Sequence, residues 1–170
     1  MEPIQLICDF VNTADLESGT DQLVDTRTLQ YWLVFHELAD LSHRASRSDL
    51  DDAIAVREAL RELLRAHTGV EVDRETASAT LEAAARRAGV TITFVDGAAR
   101  IVGGERPLGG LLAAVAQTMS DGSWQRLKAC RSDTCRWAFV DRARNRSRQW
   151  CDMSVCGNRE KARTFRRRHA

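Results

Sequence analysis

Four cysteines near one end of the chain are the residues most able to do chemistry. Cys130, Cys135, Cys151 and Cys156 form a Cys-x4-Cys-x15-Cys-x4-Cys pattern in a chain of 170 residues. Structural zinc takes four ligands in a tetrahedron, usually as two pairs with a short gap inside each. Thiolates are soft donors, and zinc holds them deprotonated near neutral pH. Each four-residue gap lets a short knuckle fold two sulfurs onto one ion, and the fifteen-residue gap leaves room for a hairpin between the pairs. The spacing predicts one structural Zn2+ on these four side chains. Two disulfides, or unrelated buried thiols, are the alternatives, but in a reducing compartment a tight set of four reads as metal first. A catalytic zinc is disfavoured, because four protein ligands leave no position for water. The segment has few apolar groups (Trp137, Phe139, Val140, Trp150 and Val155 are nearly all of them), so metal binding must supply its stability, about 10 kcal/mol for structural zinc.

Arginines surround the cysteines. Residues 126–170 hold 14 Lys/Arg against 4 Asp/Glu, a net +10, while residues 1–125 carry a net −9, so the overall +1 averages two unlike parts. That asymmetry predicts a basic binding tail on an acidic body, divided near Ser123. Arg142, Arg144, Arg146 and Arg148 recur at every second residue. They would share one face of a strand or make a flexible cationic rim in a loop. A helix is expected to begin at Asn158, placing Arg159, Arg163, Arg166 and Arg167 on one side, with Lys161 beside them. Its N–H groups and positive dipole end would add to an anion site. Fourteen cations in 45 residues attract a polyanion, and Arg forks onto phosphate. Arg142, Arg144, Arg146, Arg148, Asn158, Arg159, Lys161, Arg163, Arg166 and Arg167 are therefore the candidate nucleic-acid contacts. A solvated face, or docking on the acidic body, is the competing account of the arginines. Trp137 and Trp150 are expected to pack around the knuckles rather than stack on bases.

At these residues the chain resembles a known family. Trp150-Cys-Asp-Met-Ser-Val-Cys-Gly-Asn-Arg159, preceded by Phe139-Val-Asp141 and Arg144-Asn-Arg-Ser-Arg148, is similar to the CGNR zinc finger, whose signature falls on Cys156–Arg159. Ala143 stands where that family commonly has serine. Leu6-Ile-Cys-Asp-Phe-Val-Asn-Thr13 resembles the opening of the ABATE domain that usually precedes such a finger. The resemblance covers essentially the whole chain. It implies zinc ligands at Cys130, Cys135, Cys151 and Cys156, and a role as a bacterial stress-response transcription regulator with a nucleic-acid-binding finger.

The elements that must position these groups can be read from periodicity. Residues 4–13 should be a strand or short helix entering the core, and Asp15–Asp25 a loop around Gly19. Apolar residues recur at three and four over Thr28 to about His43, a helical spacing. A second helix is expected from a Ser48 cap, with Leu50, Ile54, Val56, Leu60 and Leu64 as its stripe, to Gly69. A third should span Arg74–Ala88. Val90–Val95 and Ala99–Val102 around Asp96-Gly97 read as a β-hairpin, and Gly109 to about Met119 as a buried helix. The expected fold is mainly α with a small β-hairpin in an N-terminal domain of residues 1–122. A basic finger, a short β-hairpin plus a helix, follows over residues 123–170.

In the body, Asp9, Asn12 and Thr13 lie among apolar residues and could line a ligand pocket with Trp32 and Arg57, or merely cap helix ends and hold the entry segment. Cys8 reads as a buried small hydrophobe rather than a redox sensor. His36, His43 and His67 sit singly on helices. No nucleophile motif, phosphate loop or second metal cluster stands out, so no enzymatic activity is expected. With no apolar run near 20 residues and no visible signal peptide, a cytoplasmic protein without a membrane span is expected. The leading expectation is a DNA-binding transcription regulator, with a finger as reading head and the body as sensor or dimerisation unit. This leaves room for a small-molecule effector, a homodimer, and RNA in place of DNA. The alternative is an adaptor whose basic finger docks on an acidic partner.

Overall fold

The computed structural model describes residues 2–169. Its elements are α1 (Pro3–Val11), β1 (Ala14–Asp15), β2 (Thr20–Asp21), α2 (Thr26–Phe35), α3 (Arg47–Ala66), α4 (Arg74–Arg87), β3 (Thr91–Val95), β4 (Ala98–Val102), α5 (Gly109–Ser120), β5 (Leu127–Ala129), β6 (Ala138–Val140) and α6 (Asn158–His169). The mainly helical architecture with small two-stranded sheets is the one expected from the sequence. Among the described residues, no helix is long and apolar enough to cross a membrane.

Residues 4–11 resolve as part of helix α1, and Asn12 and Thr13 form the turn after it. Pro3 sits in the first turn of α1, where the fixed φ suits entry and the missing N–H costs nothing, and Leu6, Ile7, Cys8, Phe10 and Val11 are buried. The loop expected over Asp15–Asp25 carries a two-residue ladder, Ala14 opposite Asp21 and Asp15 opposite Thr20. The helix expected to reach His43 stops at Phe35. Glu37 takes a left-handed φ of 59°, and the Glu37 and Leu38 N–H groups bond back to Val34 O and Leu33 O at 3.1 and 2.8 Å. This is a Schellman closure. Leu38 and Ala39 still pack against the core after the turn, which is why the apolar spacing overran the helix.

Helix α3 starts two residues earlier than the Ser48 cap predicted. Ser46 Oγ accepts from Asp49 N and Asp49 Oδ2 accepts from Ser46 N at 2.8 Å, a closed capping box; Ser48 has Asp51 at the same spacing, but it is Ser46 that takes the cap. Leu50, Ala53, Val56, Leu60 and Leu64 bury the core stripe. Arg57, Arg61 and Arg65 are also buried, at i, i+4 and i+8. Arg57 forks onto Asp21 at 2.7 and 2.8 Å. Arg61 donates to the carbonyls of Val11 and Ala14 and to Glu58. Arg65 donates to Asp133, across in the basic segment. Each guanidinium thus offsets its burial with charged or carbonyl acceptors.

At the β3–β4 turn Asp96 and Gly97 have φ of 51° and 78°, the two positive values a type I′ hairpin needs. Helix α5 packs on α1 and α4. The core does not stop at the change of charge. Trp124, Leu127, Ala129 and Ala138 belong to the same buried cluster as Phe10, Leu60 and Leu111.

Candidate metal centre and basic face

Strand β5 runs into Cys130, whose N–H donates to Trp137 O at 2.9 Å, so the β5–β6 ladder continues into the first knuckle. Cys135 N donates to Ser132 O, and Arg136 then takes φ 52°, turning the chain so that the Cys130 and Cys135 thiols converge. The second knuckle is built by Asp152. Its carboxylate accepts from Ser154 N at 2.7 Å and Val155 N at 3.1 Å, and its carbonyl accepts from Gly157 N at 3.2 Å. The wide helical turn this makes, Met153–Gly157, swings Cys156 back towards Cys151.

The four sulfurs lie within 4.8 Å of one another. Cys135 and Cys151 Sγ are 3.6 Å apart, and Cys151 and Cys156 Sγ are 3.8 Å apart. A tetrahedron with zinc–sulfur bonds of about 2.3 Å has edges of about 3.8 Å, whereas a disulfide would need about 2.05 Å. All five cysteines are free thiols. Hydrogen bonds from the Cys135 and Cys151 thiols hold Cys130 far below the usual thiol range, and the same contacts push Cys135 and Cys151 above it. Thiolates packed this closely repel one another, and a divalent cation at the centre is what lets all four deprotonate together. With four soft donors, three of them buried, beside the Trp150 ring, the residues fit one structural zinc ion.

The arginine segment that follows β6 is a closed loop, not a strand. Asp141 accepts from Lys128 Nζ at 2.8 Å and from the N–H groups of Ala143 and Arg148, both at 2.9 Å. Lys128 Nζ also reaches the carbonyls of Arg146 and Arg148. Lys128 is 4 % exposed and Asp141 0 %. Sequence reading passed over Lys128 because one more cation in a basic tail carries no signal of burial.

Two family models match the chain. The CGNR zinc finger covers residues 126–169, and the ABATE domain, described as "Putative stress-induced transcription regulator", covers residues 5–121, well over half of the sequence. The chain belongs to the ABATE family. No curated protein shows a significant match.

The CGNR finger uses some of its cations on itself. Arg148 donates to Cys151 O at 2.7 Å and lies 5.0 Å over the Phe139 ring. Asn158 donates to Ser154 O, closing the second knuckle. Arg159 pairs with Glu17, on the turn between β1 and β2 of the ABATE body. Arg142, Arg144, Arg146, Lys161 and Arg166 are exposed and make no ion pair with a described residue. Arg163 and Arg167 border a cleft of about 460 Å³ with Arg131, Trp150 and Glu160, and both pair with Glu160. Arg131 was not among the expected contacts. It lies inside the first knuckle, where only the fold brings it to α6.

Of the residues expected to line a body pocket, Asp9, Asn12 and Trp32 border one cleft and Thr13 and Arg57 do not. Thr13 is buried, its hydroxyl donating to Phe10 O, and Arg57 is committed to Asp21 and Glu58. Asn12 joins body to finger. Its amide donates to Ala138 O at 2.9 Å and accepts from Ala138 N at 2.7 Å, completing the outer edge of β6. The edge of β5 is met by His67 Nδ1, 2.7 Å from Leu127 O, and Thr68 Oγ1, donating to Ala129 O at 3.2 Å. Asn12→Ala strands both Ala138 groups in a half-buried place. It is expected to cost about 1–3 kcal/mol, read as a lowered urea midpoint of the zinc-loaded protein.

Proposed function

We propose that this protein is a DNA-binding transcription regulator whose zinc-held CGNR finger is the reading head and whose ABATE body is the sensing or dimerisation unit. The observation that carries this reading is the set of exposed arginines, Arg142, Arg144 and Arg146, without acidic partners among the described residues, on a loop held on a folded frame. Phosphate is the group such guanidiniums fork onto. The cleft of Arg131, Arg163 and Arg167 beside the Trp150 ring adds a place where a phosphate and a base can be met together. In this reading the zinc is structural, and no reaction is catalysed.

The test is binding of the zinc-loaded protein to DNA over a range of salt. Log affinity should fall linearly with log salt. Changing Arg142, Arg144 and Arg146 to Ala together should reduce that slope by up to about 2–3, since each lost phosphate contact removes about 0.9 from it on duplex DNA. Absence of binding to DNA and RNA at low salt would end the proposal, and preference for RNA would change the target. The second reading, a basic finger that docks on an acidic protein, is favoured by two contacts within the chain: Arg159 with Glu17, and Arg136 with Glu62. Acids and arginines already meet across this joint.

A further inference from the structure

A cleft of about 890 Å³ opens between the ABATE body and the finger. Its walls are aromatic: Tyr31, Trp32, Phe35 and His36 from α2 and its C-cap, and Trp137 from the finger. Trp32 and His36 have ring centres 4.1 Å apart with their planes tilted by 34°, and Phe35 meets His36 edge-on at 5.1 Å. Tyr31 is 66 % exposed and Phe35 79 %, an unusual cost for two rings on one helix of a soluble surface. Asp9 is the only carboxylate among the lining residues, and no Lys or Arg is among them. One Asp9 oxygen accepts from Gln5 Nε2 at 2.8 Å, which leaves its other oxygen for an incoming group. Burial pushes His36 below its ordinary value although Asp9 pulls the other way, so the imidazole is neutral at neutral pH. Its Nδ1 is buried without a hydrogen-bond partner among the described residues.

Aromatic faces attract a cation, most strongly a poorly hydrated one. A single carboxylate between low-dielectric walls selects the same sign of charge. The volume suits a small organic molecule. We propose that this cleft binds an organic monocation whose charge is spread over an apolar or aromatic body. The site goes beyond the nucleic-acid reading and does not depend on it.

The test is calorimetric titration of the full-length, zinc-loaded protein with tetraphenylphosphonium, and separately with neutral triphenylphosphine oxide, in the absence of nucleic acid. Sedimentation gives the mass of each sample. One equivalent of the phosphonium should bind, at least about tenfold more tightly than the oxide. Asp9→Asn should remove most of that preference, and Phe35→Ala should weaken the phosphonium at least about fivefold. Phe35 stands outside the core, so an unchanged thermal midpoint will show that the variant is folded. Three results would overturn the proposal: no phosphonium binding up to millimolar concentration, equal affinity for the two compounds, or binding that neither variant changes. A fourth is a dimer that Phe35→Ala turns into a monomer, which would assign the aromatic face to a second copy of the chain.

Discussion

Stripping the metal is expected to unfold the knuckles and α6 while the helical body stays folded. Cys135, Cys151 and Cys156 each reach the others only through turns that have little else to hold them. Cys151 is followed by an exposed wide turn, and α6 buries no residue of its own. Apparent binding energies of structural zinc, about 10 kcal/mol, exceed anything such a surface can replace. The first strand pair should behave differently. Leu127, Ala129 and Ala138 belong to the body's core, and Asn12, His67 and Thr68 bond to their backbones. Under reducing conditions a strong chelator should therefore erase amide protection over residues 130–137 and 141–169 and leave that of α1, α3 and α5. Metal analysis should give one zinc per chain, and Cys151→Ser should reproduce the partly unfolded state. A metal content well under one, or a finger untouched by chelation, would refute the structural assignment.

Asp141→Ala is expected to destabilise the finger by about 3–5 kcal/mol, the usual cost of leaving a buried charge without its partner. The carboxylate serves three donors at once, and the ammonium it leaves behind is itself buried. Burial alone would raise the Asp141 carboxyl, but the Lys128 hydrogen bond and the amides of Ala143 and Arg148 outweigh it and hold the group below its ordinary 3.8. The contribution is then fully present above that value, and it is lost as pH falls through the lower folded-state value. Denaturant unfolding of the zinc-loaded protein, followed by a probe in the finger, checks the magnitude. Replacing the pair together, Lys128→Met with Asp141→Leu, should recover much of the stability while leaving the loop ends unpaired. If the loop's order matters for binding, DNA affinity should stay low in the double variant although no arginine has been removed.

The spacing of the cysteines and the Asp96-Gly97 turn were legible because their physics is local. Two thiols four residues apart, or two positive φ angles in sequence, need no knowledge of distant segments. The buried arginines of α3 were not. At i, i+4 and i+8 they look like a solvated stripe, and only the fold brings Asp21, Asp133 and the carbonyls of Val11 and Ala14 to them. The basic tail was legible as a sum of charges but not as a set of free ones. Arg148 and Arg159 are engaged within the chain, while Arg142, Arg144 and Arg146 are not. The cleft was half-legible. Asp9, Asn12 and Trp32 were found, but Tyr31, Phe35 and Trp137 were not, since only the fold brings Trp137 of the finger against this face of α2.

The seam between the two family models lies at residues 121–126, but the side chains that finish both strand edges come from α1 and from the end of α3. A finger excised at that seam would present Leu127, Ala129 and Ala138 to water, with two bare strand edges open to pairing between molecules. It is thus a poor cassette. Grafting it onto another protein calls for bringing Asn12, His67 and Thr68 along, or for supplying equivalent donors and acceptors on the new host.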